Sequence, residues 1–262
     1  MKFYIKNSLL ILISVLFLVS ASLNLFLIQQ LREYYLFINA VSLDPLNFQR
    51  YPNYEEASLE QNLLETNKTR VVIFGDSRSQ AWRNPELNNF EFINRGISGE
   101  TSSQAFLRFD YHVSYLKPQV IVVQVGGNDL RMLPLPPKER KDIVENCKAN
   151  IRKIAEKSQD LGSTVILTTI FPLGKRNLPL KDRFRWPNLS DIDKDIEDVN
   201  SYIRSLENKD VIIFDAYAVL EENGKTKNAY TKDLLHINSA GYEALNRELV
   251  EILQKIEKQN RS

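Results

Sequence analysis

Val71-Val72-Ile73-Phe74-Gly75-Asp76-Ser77 is the stretch on which the reading of the fold turns. Its first four residues are apolar on both faces and mostly β-branched, the composition of a strand buried from both sides in a parallel sheet. A glycine and two polar residues follow, where the chain has to leave the strand and enter a helix. A serine at such a corner projects its hydroxyl from the sheet edge. Taken alone, Gly-Asp-Ser serves equally well as a plain turn or a helix cap.

The same texture recurs downstream. Short apolar runs at Phe92–Asn94, Val120–Val125, Val165–Ile170 and Val211–Phe214 read as further strands. Amphipathic stretches at Thr101–Leu116, Lys138–Leu161, Asp191–Leu206 and from Ser239 to about Lys258 read as the helices between and after them. Pro118 and Gly162 close two of these helices. Alternation of this kind predicts an α/β domain over residues 69–262, with connections long enough for right-handed crossovers. Sheets built this way bind ligands beyond the carboxyl ends of their strands, so chemistry is expected just after each strand.

Polar, glycine-bearing segments stand at those places. After the second strand comes Asn94-Arg95-Gly96-Ile97-Ser98-Gly99-Glu100-Thr101, and after the third Gly126-Gly127-Asn128-Asp129. Glycines admit close backbone approach, and an asparagine amide is a neutral N–H donor; these are the parts of an oxyanion hole. Thr101 with Gln104 also reads as a capping box, and both readings can hold together. Near the C-terminus, Asp233-Leu234-Leu235-His236 precedes the last helix. A carboxylate three residues before an imidazole can bond Nδ1 on a tight turn and leave Nε2 to accept a proton. The chain holds only two histidines. His112 falls inside a helical pattern and reads as a surface or core residue, which leaves His236 as the candidate base.

In chain order, these four blocks resemble those of the SGNH, or GDSL-type, hydrolase family: a GDS serine, a glycine, a GxND asparagine and a DxxH pair. The resemblance runs from about Val71 to Leu249. It implies a three-layer α/β/α sandwich around a five-stranded parallel sheet in flavodoxin-like order. It also implies Ser77 as nucleophile, His236 as general base and Asp233 as its orienting carboxylate. The oxyanion donors would be the Ser77 N–H, the Gly99 N–H and the Asn128 side chain, with Gly99 preferred to Gly96 because Ile97-Ser98-Gly99-Glu100-Thr101 looks like the family's second block. The implied activity is hydrolysis of acyl, lipid or glycan esters with no metal or organic cofactor. Transfer of the acyl group to an envelope glycan, or a catalytically silent binding or scaffold protein on the same fold, are the alternatives. Arg78 departs from the family, which commonly has an apolar or small residue after the nucleophile. It is expected either to pair with Asp76, Glu100 or Asp129 or to face an anionic part of the substrate.

Ahead of this domain lies a different composition. From Asn7 to Leu31 there is no charge, and Leu9–Ile28 is 20 residues long. A helix of that length spans about 30 Å, the thickness of a bilayer core. Residues 1–31 are therefore read as one transmembrane helix. Val19-Ser20-Ala21 resembles a signal cleavage site, but apolar residues continue past it, which favours an uncleaved anchor; cleavage would give a secreted protein. Lys2 and Lys6 place the N-terminus inside and the domain on the extracytoplasmic side. Residues 32–68 show no sustained period and read as a stalk or arm.

Global composition narrows the partners. With 34 basic and 33 acidic residues, the net charge of +1 gives no reason to expect nucleic acid. Cys147 is the single cysteine, so no intramolecular disulfide forms, and it reads as a buried thiol. The alternating acids of Asp191-Ile192-Asp193-Lys194-Asp195 lack the glycine and glutamate of a calcium loop and read as a charged helix start. No P-loop or G-x-G-x-x-G pattern is present, and the sequons at Asn67 and Asn188 are about what chance supplies.

Overall fold

A computed structural model of the protein describes residues 2–45, 68–131, 137–174 and 189–260. The chain forms two units, one holding the N-terminal helix and the other everything from the first strand onward.

The N-terminal unit is a helix, α1 (Lys2–Leu43), whose large apolar side chains between Leu9 and Leu43 are exposed. It is long and apolar enough to cross a membrane. The helix continues beyond residue 31 because Arg32, Glu33 and the residues after them are all compatible with helical geometry; no proline or glycine interrupts the run. Of the arm expected over residues 32–68, residues 46–67 lie outside the described residues, as does Asn188 of the second sequon.

The second unit is built on five parallel strands, β1 (Thr69–Gly75), β2 (Phe90–Gly96), β3 (Val120–Gln124), β4 (Thr164–Thr168) and β5 (Val211–Phe214), in the order β2-β1-β3-β4-β5. This is the flavodoxin-like order. The register sets Gly75 of β1 against both Gly96 and Gln124, so the three strands end level with one another. Between them run α2 (Ser77–Gln80), α3 (Ser102–His112), α4 (Gly127–Arg131), α5 (Pro137–Asp160) and α6 (Leu189–Ser205). After β5 come α7 (Ala216–Leu220), a small hairpin and α8 (Ser239–Asn260).

The alternation of side chains along each strand divides the core in two. Val72, Phe74, Ile121, Val123, Val165 and Leu167 face one side, against α3, α5 and α6. Val71, Ile73, Val120, Val122 and Ile166 face the other, against Trp82, α7 and α8. Helices on both faces of one sheet make the three-layer sandwich. Cys147 on α5 and His112 on α3 are both buried.

Two expectations need adjusting. The helix read over Thr101–Leu116 ends at His112, and a 3-10 turn over Ser114–Leu116 carries the chain to Lys117, which has a φ of 47° ahead of Pro118. Thr101 lies outside the helix as its cap, with the reciprocal Gln104 bond in place. The short helices α4 and α7 were not anticipated, because five residues are too few to show a helical period.

Candidate active site

Ser77 stands where β1 gives way to α2. The corner requires glycine: Gly75 has a φ of 147°, and a Cβ there would collide with the carbonyl oxygen of Gln124 on the neighbouring strand. Asp76 caps α2 by accepting the Arg78 N–H at 2.9 Å. Ser79 donates its hydroxyl to the Phe74 carbonyl at 3.1 Å and pins the turn from the other side. The Ser77 side chain is thereby held at the carboxyl edge, half-buried.

Asp233 and His236 form a tight turn just before α8. The amides of Lys232 and Asp233 donate to the His236 carbonyl at 3.0 and 3.3 Å, and Gly174 N–H donates to Leu234 O at 2.7 Å. Asp233 Oδ1 accepts the N–H groups of Leu235 and His236, each at 2.8 Å. The same carboxylate meets the ring: His236 Nδ1 lies 3.0 Å from Oδ1 and 2.9 Å from Oδ2. An acceptor-only carboxylate at Nδ1 assigns the proton to that nitrogen and leaves Nε2 as the acceptor. Nε2 lies 3.0 Å from Ser77 Oγ. The structure thus brings three of the anticipated side chains into one hydrogen-bonded series.

Burial pushes the Asp233 carboxyl up, but the ring of His236 and the two amides outweigh it and leave it below the ordinary carboxylate range. Asp233 therefore stays ionised beside the imidazole at neutral pH.

Gly99 and Asn128 lie on the segments after β2 and β3, at the same edge. Gly99 is exposed, with a φ of 85° and open space where a side chain would be. Asn128 is buried in α4, and its Nδ2 donates to Glu100 O at 2.8 Å. Amide nitrogen carries two hydrogens, so this bond fixes where the second one points. Supports surround this pair. The Asp129 carboxylate accepts the Ser102 N–H at 2.8 Å and hydroxyl at 2.6 Å. Arg108, buried on α3, pairs with the Glu100 carboxylate at 2.6 Å and donates to the carbonyls of Gly75 and Arg95.

Sequence reasoning assigned no part to Arg108 and gave Asp129 only as a possible partner of Arg78, although a charged residue within a helix and another at the end of Gly-Gly-Asn-Asp were visible. Arg78 does not take the first of its anticipated roles. It is 3% exposed and makes no ion pair with a carboxylate among the described residues. Its Nε donates instead to Leu235 O at 3.0 Å. Beside it, burial raises the Asp76 carboxyl to about 6, against the opposing pull of the Arg78 charge.

A sheet of this order, carrying a hydroxyl, an imidazole and a carboxylate in series at its carboxyl edge, has the make-up of an α/β acylhydrolase. The chain belongs to the GDSL-like lipase/acylhydrolase family, whose model matches residues 66–244. A solved GDSL-like lipase from Bacteroides thetaiotaomicron superposes with a TM-score of 0.62 at 23% identity, over 80% of this chain and 98% of that one. Among curated relatives, an uncharacterized lipoprotein of Bacillus subtilis, YqeF, is 30% identical over 140 residues, which is 44% of this chain and 55% of that protein. An N-acylneuraminate cytidylyltransferase of Escherichia coli is 25% identical over 230 residues, 80% of this chain and 48% of that protein. The chain spans about half the length of these curated relatives.

Proposed function

We propose that the protein is a serine carboxylic-ester hydrolase tethered to a membrane by α1, with its second unit on the extracytoplasmic side. The observation that carries the reading is the series from Ser77 Oγ through His236 to Asp233, with 3.0 Å from hydroxyl to Nε2 and 2.9 Å from Nδ1 to carboxylate. In this reading Ser77 attacks the ester carbonyl as Nε2 takes its proton. The resulting imidazolium is steadied by Asp233 and returns the proton to the departing alcohol. Water then repeats the sequence on the acyl-enzyme. The Ser77 N–H, the exposed Gly99 N–H and the second Asn128 hydrogen receive the charge that develops on the carbonyl oxygen.

Support for the tether comes from the uncharged run between Asn7 and Leu31, the exposed apolar surface of α1, and the lipoprotein name of the Bacillus relative. The nucleotidyl transfer in the name of the Escherichia coli relative is not carried over, since this chain spans under half of that protein and holds no phosphate-cradling glycine motif.

A panel of acyl esters presented to the detergent-solubilised full chain tests the proposal. Turnover that vanishes in Ser77→Ala, together with fluorophosphonate labelling of Ser77, is the expected result. An intact protein that cleaves no ester and takes no label at Ser77 would overturn it.

A further inference from the structure

The peptide unit joining Leu235 to His236 is held at both ends. Its N–H donates to Asp233 Oδ1 at 2.8 Å, and its carbonyl accepts Arg78 Nε at 3.0 Å. A planar peptide fixed at two opposed atoms cannot rotate, and the His236 side chain leaves the backbone from that plane. Asp233 belongs to the same turn, so its grip alone lets the turn move as a body. Arg78 comes from another element altogether and supplies an external reference.

That reference is itself well anchored. Arg78 follows Ser77 directly, its N–H is bonded to Asp76, and its carbonyl accepts the Tyr242 hydroxyl from α8 at 2.9 Å. The guanidinium lies over the Phe171 ring at 5.3 Å and against Gly127, where an added Cβ would collide with Nη1 and come within 3.0 Å of Cζ. The bond to Leu235 is the one hydrogen bond the side chain makes among the described residues, and Nη1 has no acceptor. Burying a cation with so few partners costs stability, and burial indeed lowers the pKa of Arg78 against the raising influence of Asp76, Tyr242 and Asp233. An apolar side chain of the same volume would fill the space at lower cost. It could not hold the Leu235 carbonyl.

The geometry points to Arg78 as a positioning residue that sets the distance between Ser77 and His236, by tying the peptide plane of the base to the residue next to the nucleophile. The inference rests on the hydrolase reading above. It assigns Arg78 no contact with substrate.

Fluorophosphonate labelling of the full-length protein in detergent provides the test, because it needs no knowledge of the natural ester. In that reaction Ser77 Oγ bonds to phosphorus, fluoride leaves and His236 takes the proton. Arg78→Met is expected to slow the maximal labelling rate roughly 10- to 100-fold, the scale of a misplacement near 1 Å, with little change in the half-saturating probe concentration. Arg78→Ala should regain several-fold of its loss with added guanidinium chloride at concentrations that leave its melting temperature unchanged. Gly127→Ala gives a second route that keeps the arginine, since the nearest atoms its Cβ would meet all belong to Arg78. It should slow labelling alone and cause no further loss combined with Arg78→Met. Labelling of Arg78→Met within two-fold of wild type, or equal Gly127→Ala losses with and without Arg78, overturns the inference while leaving the hydrolase reading intact. Absence of labelling in the wild-type protein would instead remove the hydrolase reading.

Discussion

Asn128 donates its side-chain amide to the main-chain oxygen of Glu100 at 2.8 Å, so the turn after β3 is oriented by the loop after β2. Neither segment is positioned independently of the other. Asn128→Ala is expected to lower kcat on an ester substrate by about 10²- to 10³-fold with a smaller change in KM. Asn128→Asp should be worse, because a carboxylate would face both the Glu100 carbonyl and the developing oxyanion. Steady-state kinetics of the two variants check this, and near-normal turnover in Asn128→Ala would remove the residue from the oxyanion site.

Replacing Asp233 by Asn keeps an oxygen for the Leu235 and His236 amides but removes the ionised acceptor from Nδ1. The new amide can donate to Nδ1, which moves the ring proton to Nε2 and leaves nothing to accept from Ser77. A loss of about 10³- to 10⁴-fold in kcat is expected, with a lowered melting temperature at neutral pH and folding otherwise intact. The pKa of Asp233 is lowered on folding, so its contribution to stability is present above about pH 4 and disappears as the pH falls through its folded value.

Asp76 shows the opposite sign. Its folded carboxyl is raised to about 6, so the folded protein binds the proton more tightly than the unfolded chain. Stability from this group therefore falls as pH rises from about 4 to about 6 and then levels off. Asp76→Asn preserves an oxygen for the Arg78 N–H without the charge. Relative to wild type the variant should gain stability across that window, on the order of 3 kcal/mol by its upper end. Thermal or denaturant unfolding of both proteins at pH 4, 5, 6 and 7 measures the difference, and a pH-independent gap would count against a buried, proton-binding Asp76.

The pair of Glu100 and Arg108 is almost wholly buried, at 3% and 0% side-chain exposure. Glu100→Gln strips the carboxylate from a buried guanidinium and should cost about 3–5 kcal/mol. A double Glu100→Met, Arg108→Met variant should recover part of this loss. It should not recover all of it, because the carbonyls of Gly75 and Arg95 also depend on Arg108. Denaturant titration of the three proteins separates the outcomes.

β1, β3 and β4 were legible because each is a short β-branched run buried from both sides, and the chemistry because polar, glycine-bearing segments follow the strands at their carboxyl ends. Val211–Phe214 was read with the bounds the structure gives it, and the other strands differ only at their ends. What escaped has physical causes. Helix α1 outruns its apolar stretch because helical geometry tolerates Arg32 and Glu33 where a bilayer core does not. The bond from Arg78 to Leu235 escaped because arginine is almost always at the surface, and because the two residues are 157 apart in sequence. A turn of leucines gave no sign that one of their carbonyls would receive a buried cation.

The hydroxyl of Ser77 and the ring it meets are separated by 159 residues. A chain still emerging from the ribosome carries the first without the second. Such a fragment holds an ordinary alcohol with no more appetite for esters than any surface serine. On the proposed reading, reactivity is switched on only when the closing turn docks, so the order of synthesis itself keeps the half-made chain inert until folding is nearly done.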